Sequence, residues 1–135
     1  EKIDCTQDNG KEISNVNTQS NMRKTFVVAR TKVEGLHRWD GCDIDEVGYL
    51  TLNHRHMFHI SATIAVKHHD RDVEFIRLAH QIHSYLTDKY WSNQYQCAMF
   101  ESMSCEMLAN ELIDKFDLTA CEVNEDGEGG AIVYA

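Results

Sequence analysis

Within the run from His54 to Val66, HRHMFHISATIAV, apolar and polar side chains alternate with a period of two from Phe58 to Ile64. A β-strand is the regular element with that period, so Phe58, Ile60, Ala62 and Ile64 share one face of it. His54 and His56 open the same row, which sets two imidazoles side by side at the edge of a core. A buried imidazole needs a hydrogen bond or a metal to satisfy it. His37 ends an earlier β-branched run, residues 24–36, that reads as a first strand. If these two strands pair, three histidines meet with a fourth position open, the donor set of a catalytic zinc. With eight histidines in 135 residues, surface or hydrogen-bonded core positions are the plainer alternative.

The rest of the chain sorts around these strands. Residues 1–21 are rich in Asn, Asp, Gln, Ser and Thr and read as a polar N-terminal extension. Residues 22–135 form one domain, long enough for a single core. Residues 37–53 make a long, functionally suggestive connection carrying Trp39, Cys42 and the acidic group Asp43, Asp45 and Glu46. After the polar break at 68–72, Phe75, Leu78, Ala79, Ile82, Tyr85 and Leu86 recur at helical steps. Residues 91–101 read as irregular. Ser104 is the expected N-cap of a second helix whose stripe is Leu108, Ala109, Leu112, Ile113 and Phe116. Strand character returns over 118–125, and a Gly-rich turn at 126–130 leads to a last strand, Ala131 to Tyr134. The expectation is an α+β fold of order ββααββ, an antiparallel sheet with both helices on one face.

Charge and cysteines narrow the partners. A net charge of −9 argues against a nucleic-acid backbone or an anionic membrane surface. No stretch approaches the ~18 apolar residues of a membrane span, and no signal-type segment is evident. Five cysteines without a C-x-x-C pair suit a reducing cytoplasm better than a disulfide framework.

Other groups carry weaker signals. Cys42 lies near His37 and is a candidate nucleophile, although Asp40, Asp43 and Asp45 would oppose a thiolate. His59 faces away from the His54–His56 row. His80 and His83 share a helix face, and His80 is a candidate proton carrier beside His68 and His69. Glu125 shares a strand face with Cys121 and Val123 and meets the turn. There its two parallel acceptors suit the ring N–H and amino group of a pterin or guanine, the alternative being a solvated hairpin glutamate.

In order, these pieces resemble the 6-pyruvoyl-tetrahydropterin synthase and 6-carboxy-tetrahydropterin synthase family. That family has a histidine near the end of strand one, His-Gly-His-Asn-aromatic opening strand two and Asp-Phe-Gly-Asp-Leu entering helix one. Pro-Thr-Ala-Glu-Asn-Leu-Ala enters its helix two, and Val-x-Val-x-Glu lies on strand three. Here the same places hold His37, His54-Arg55-His56-Met57-Phe58, Glu74-Phe75-Ile76-Arg77-Leu78, Ser104-Cys105-Glu106-Met107-Leu108-Ala109 and Cys121-x-Val123-x-Glu125. The similarity spans residues 24–134. It implies the T-fold, a barrel completed by oligomerisation with the pocket between subunits. It also implies zinc on His37, His54 and His56 and a pterin or purine-derived ring held by Glu125.

The departures bear on chemistry. Thr51-Leu52-Asn53 stands where the family has its cysteine, and Cys42 lies twelve residues before His54. Asp88-Lys89 stands in for the family's Asp-His pair, and Arg55 replaces the motif glycine. The chain also looks like small divergent members of this group found in phage genomes, which act in the host cytoplasm. Two functions are therefore expected. One is a zinc-assisted lyase acting on a pterin or purine nucleotide. The other is a non-catalytic binder that sequesters or senses a guanine- or pterin-like nucleotide, as in phage counter-defence, with Arg55, Arg38 and Arg71 meeting phosphates.

Overall fold

The structure, a computed structural model, describes residues 22–135. The extension read over 1–21 lies outside the described residues, as does Cys5. Strand β1, Phe26–His37, and strand β2, His54–Ala65, form the long central pair. Strands β3, Trp91–Ser92, and β4, Cys97–Met99, follow helix α1, Phe75–Tyr90. Helix α2, Cys105–Phe116, precedes the terminal hairpin of β5, Ala120–Glu125, and β6, Gly129–Tyr134. The sheet order is β3-β4-β1-β2-β5-β6. The molecule is thus α+β, as the sequence pattern implies, with a six-stranded sheet.

The alternation in β2 is realised as expected. Phe58, Ile60 and Ala62 are buried while their neighbours are not. Register aligns Val33 with Phe58, Ile60 with Val123 and Ala62 with Cys121, so one face of the sheet is continuously apolar. Both helices cover it. Leu78, Ile82 and Leu86 of α1 and Leu108, Ala109, Leu112 and Ile113 of α2 join those strand residues in a single core. Glu74 caps α1 by accepting from the amides of Ile76 and Arg77, and Ser104 caps α2 by accepting from Met107. Among the described residues nothing covers the opposite face, and Val28, Met57, Ile132 and Tyr134 stand exposed on it.

Two expectations are corrected. Residues 91–101 contain β3 and β4, so the order is ββαββαββ, and β4 runs parallel to β1, making the sheet mixed. Strands of two and three residues are too short to show a period in sequence. Pairing with β1 holds β4 there, and the segment after it packs closely at Gly35. A Cβ at that position would sit 2.5 Å from Cε2 of Phe100, so only glycine admits this ring against β1. The long connection after β1 also contains a 3-10 segment, Asp45–Thr51. Among the described residues, no helix is long and apolar enough to cross a membrane.

Candidate metal centre

His37 is the last residue of β1 and pairs with His54, the first of β2; Gly35 pairs with His56. Lateral and diagonal neighbours across two strands therefore carry three imidazoles on the helix-covered face. Their donor nitrogens lie within 4.8 Å of one another. The rings meet edge to face, with centroids 4.6, 5.3 and 5.0 Å apart. Phe58 and then Phe100 form an apolar wall behind them.

Each ring is oriented by a second contact. His37 Nδ1 lies 2.8 Å from the Met103 carbonyl oxygen, and His54 Nδ1 lies 2.8 Å from that of Leu52. His56 Nδ1 lies 2.7 Å from Oδ2 of Asp126. Carbonyls and ionised carboxylates only accept, so all three Nδ1 atoms carry the proton and donate it. In the neutral ring that leaves Nε2 as a bare lone pair. A ligating histidine is commonly prepared this way, with the far N–H held by a carbonyl or carboxylate. Asp126 is fixed in turn. Its φ of 60° starts the β5–β6 turn, its amide donates to Met57, and its Oδ1 accepts from the Met57 amide. The Met57 amide and His56 both hold its carboxyl below the usual range.

Glu125 ends β5 beside these rings. Its Oε2 is 3.0 Å from His37 Nε2 and its Oε1 is 3.3 Å from His56 Nε2. Neither contact is aligned as a hydrogen bond. Among the described residues, these two nitrogens are the only buried side-chain nitrogen or oxygen atoms without a hydrogen-bond partner. Burial opposes charge on His37, but the Glu125 carboxylate and the Met103 carbonyl outweigh it and raise the pKa. His37 in turn holds Glu125 below the ordinary carboxylate value. Cys105 Sγ is 3.6 Å from Glu125 Oε2, and burial followed by the Glu125 charge pushes this thiol up to about 12. It stays protonated.

The cluster floors a cavity of about 770 Å³, walled by Trp39, Leu50, the 102–107 turn leading into α2, and the 125–130 turn. That volume suits a small ligand. Its lining includes Glu106, Glu125, Asp126 and Glu128 against Arg38, so the overall acidity of the chain is not reversed here. Arg38 is already engaged by Asp40 at 2.8 Å and Glu101 at 3.1 Å.

The structure brings His37, His54, His56 and Glu125 together, and it places the other candidates elsewhere. Cys42 sits in the loop after β1 with its thiol toward the carbonyls of Ile44 and Val47 and does not line the cavity. His80 lines a separate depression between the helices with Arg77, Ser84 and Lys115. Arg55 projects to the opposite sheet face, paired with Glu34 at 2.9 Å. Strand alternation demands this of any residue between two inward histidines. His68 faces Asp72, His69 contacts Thr25, and Arg71 pairs with Asp70. Sequence reasoning missed Asp126, Cys105 and the Met103 carbonyl. Asp126-Gly127 signals only a turn, and the other two arrive from a distant segment.

These residues fit a metal ion. Three oriented imidazoles and two orphaned buried nitrogens are a donor set in need of a cation, and imidazole nitrogen favours zinc-type ions. No protein-family model matches the chain, and comparison with curated proteins finds no significant match.

Proposed function

We propose that this protein is a tetrahydropterin-synthase-like T-fold domain that holds zinc on His37, His54 and His56. In this reading it acts in lyase-type chemistry on a pterin or purine-derived ring. One observation carries it: all three Nδ1–H groups are committed to acceptors, so three Nε2 atoms are presented together at the floor of a ligand-sized cavity. Zinc there would act as a Lewis acid on an oxygen of the ligand. Glu125 supplies acceptors for ring N–H and amino groups. Phe58 and Phe100 exclude water from behind the imidazoles. Because the lining is acidic and Arg55 and Arg71 lie elsewhere, the ring rather than a phosphate chain is the recognised part.

The bare face of the sheet, with Val28, Met57, Ile132 and Tyr134 exposed, supports a homo-oligomer that completes a barrel. The unpaired thiols of Cys42, Cys97, Cys105 and Cys121 suit a cytoplasmic setting. A second reading, a non-catalytic binder of the same ring, is favoured by one placement: Cys42 and His80, the candidate proton carriers, do not line the cavity.

Native mass spectrometry tests the metal and the assembly, with one zinc per subunit in a defined oligomer as the expected result. Zinc-loaded protein is then incubated with dihydroneopterin, with and without its triphosphate. Turnover supports the lyase, and saturable binding without turnover supports the binder. Protein that stays metal-free after zinc is supplied and excess removed would reject the three-histidine site.

A further inference from the structure

We infer that Glu125 is a fourth donor to the metal, closing the coordination shell while the cavity is empty and giving way when a ligand enters. This rests on the three-histidine reading above and adds to it a residue that would otherwise only hold the ring.

The geometry of the contact points to a cation between the partners. His37 and His56 both donate from Nδ1 to groups that can only accept. Their Nε2 atoms therefore turn lone pairs toward the two oxygens of an ionised carboxylate, at 3.0 and 3.3 Å. Lone pairs so placed repel unless a positive charge lies between them. A proton on Nε2 would serve, but only along the N–H direction, and neither oxygen lies in line with its ring nitrogen. A metal set to one side of the N···O line satisfies both partners at once. The spacing to His37 and His56 agrees, since a tetrahedral site with bonds of ~2.0–2.1 Å separates its donors by roughly 3.3 Å, whereas the carboxylate would swing closer to His54 to complete the shell.

The carboxylate is also free to leave. Its side chain is 31% exposed to the cavity, at the end of β5 where the turn begins. Apart from the imidazoles, its side-chain partner is the Cys105 thiol, a weak donor at 3.6 Å. It reaches His37 and His56 directly, whereas the donors lying mutually within 4.8 Å are the three histidines alone. Glu125 thus joins the set from its cavity side, where an incoming oxygen would displace it. A carboxylate released from the metal in this way turns toward the ligand that displaced it.

Cobalt(II) titration of the full chain, with zinc competition, reads this directly. In wild type, the carboxylate stretching bands in the infrared difference spectrum shift when metal is added. Glu125→Gln, nearly isosteric, and Glu125→Ala should bind cobalt at least ~10-fold more weakly, with visible bands altered as water replaces the carboxylate. Circular dichroism and melting curves establish that each variant is folded. If either folded variant keeps wild-type affinity and bands while His54→Ala loses binding, the three-histidine site stands and the fourth donor is overturned. An unshifted carboxylate band in metal-loaded wild type overturns it equally. If wild type itself takes up neither cobalt nor zinc, both readings fall together.

Discussion

Glu111 and Glu125 are both partly sheltered carboxylates set among side chains from different elements, and their surroundings are opposite. Glu111 accepts from the hydroxyls of Tyr85 and Tyr90, each at 2.6 Å, and from Lys89 Nζ at 2.8 Å. Burial opposes its charge, but these donors outweigh burial and keep its pKa below the ordinary value. Burial and the same carboxylate push Tyr90 up to about 12, so the phenol remains a donor. Glu125 instead faces two ring nitrogens that have no hydrogen-bond partner. A polar cluster whose members pair with one another is scaffold. It ties α1 to α2, as Tyr85, Lys89 and Tyr90 on one helix and Glu111 on the other do here. A cluster that leaves buried atoms unpaired, when burial of such atoms costs stability, is built for a partner the chain does not itself supply.

Metal binding separates the two clusters most strongly. His54→Ala should weaken zinc by more than ~100-fold, beyond the ~10–100-fold typical of losing an outer partner. Glu111→Ala should leave zinc affinity within about twofold, measured by competition with a chromophoric chelator. A large metal effect at Glu111 would erase the distinction. Asp126→Asn, which removes the charged acceptor behind His56 Nδ1, should fall in the ~10–100-fold range with little change in fold.

Stability should divide the other way. Glu111→Ala leaves two tyrosine hydroxyls without their acceptor and should cost about 2 kcal/mol in urea unfolding. The effect also has a pH signature. A carboxyl whose folded pKa lies below its ordinary 4.5 adds stability above that value and loses it as pH falls through the folded pKa. Glu111→Gln should therefore flatten the acid limb of the stability profile, and an unchanged limb would count against the pairing. The smallest effect is expected at Glu125 in metal-free protein. There Glu125→Gln should change stability by no more than ~1 kcal/mol in either direction. The amide N–H that can donate to an imidazole lone pair offsets the loss of a carboxylate charge that raises the His37 pKa and is itself held low by His37. A clear loss of metal-free stability would show that the native carboxylate is satisfied by protons alone.

Much of this arrangement was legible before any coordinates. The period of two from Phe58 to Ile64 dictates a strand with His54 and His56 on one face, and Phe58, Ile60 and Ala62 are buried as that period requires. The helical stripes and the Ser104 cap follow from equally local rules. The same alternation excludes Arg55 from the histidine face, a consequence that its place inside the motif obscures. Cys42 and His80 drew notice by residue type, but proximity in the chain or on a helix face does not set distance to a site.

Local periodicity thus determined the faces of the long elements, and with them which histidines would share a side. Register, the two short strands and the partners of each imidazole were decided only by the tertiary structure. The Met103 carbonyl reaches His37 across 66 residues, and Asp126 reaches His56 across 70. Contacts at such separations depend on how Phe100 seats against Gly35 and how β5 aligns with β2, and no pattern along the chain encodes them. Dihedral preferences and hydrophobic period act over a few residues. The protonation pattern that would let three histidines hold a metal ion arises from groups brought together by packing.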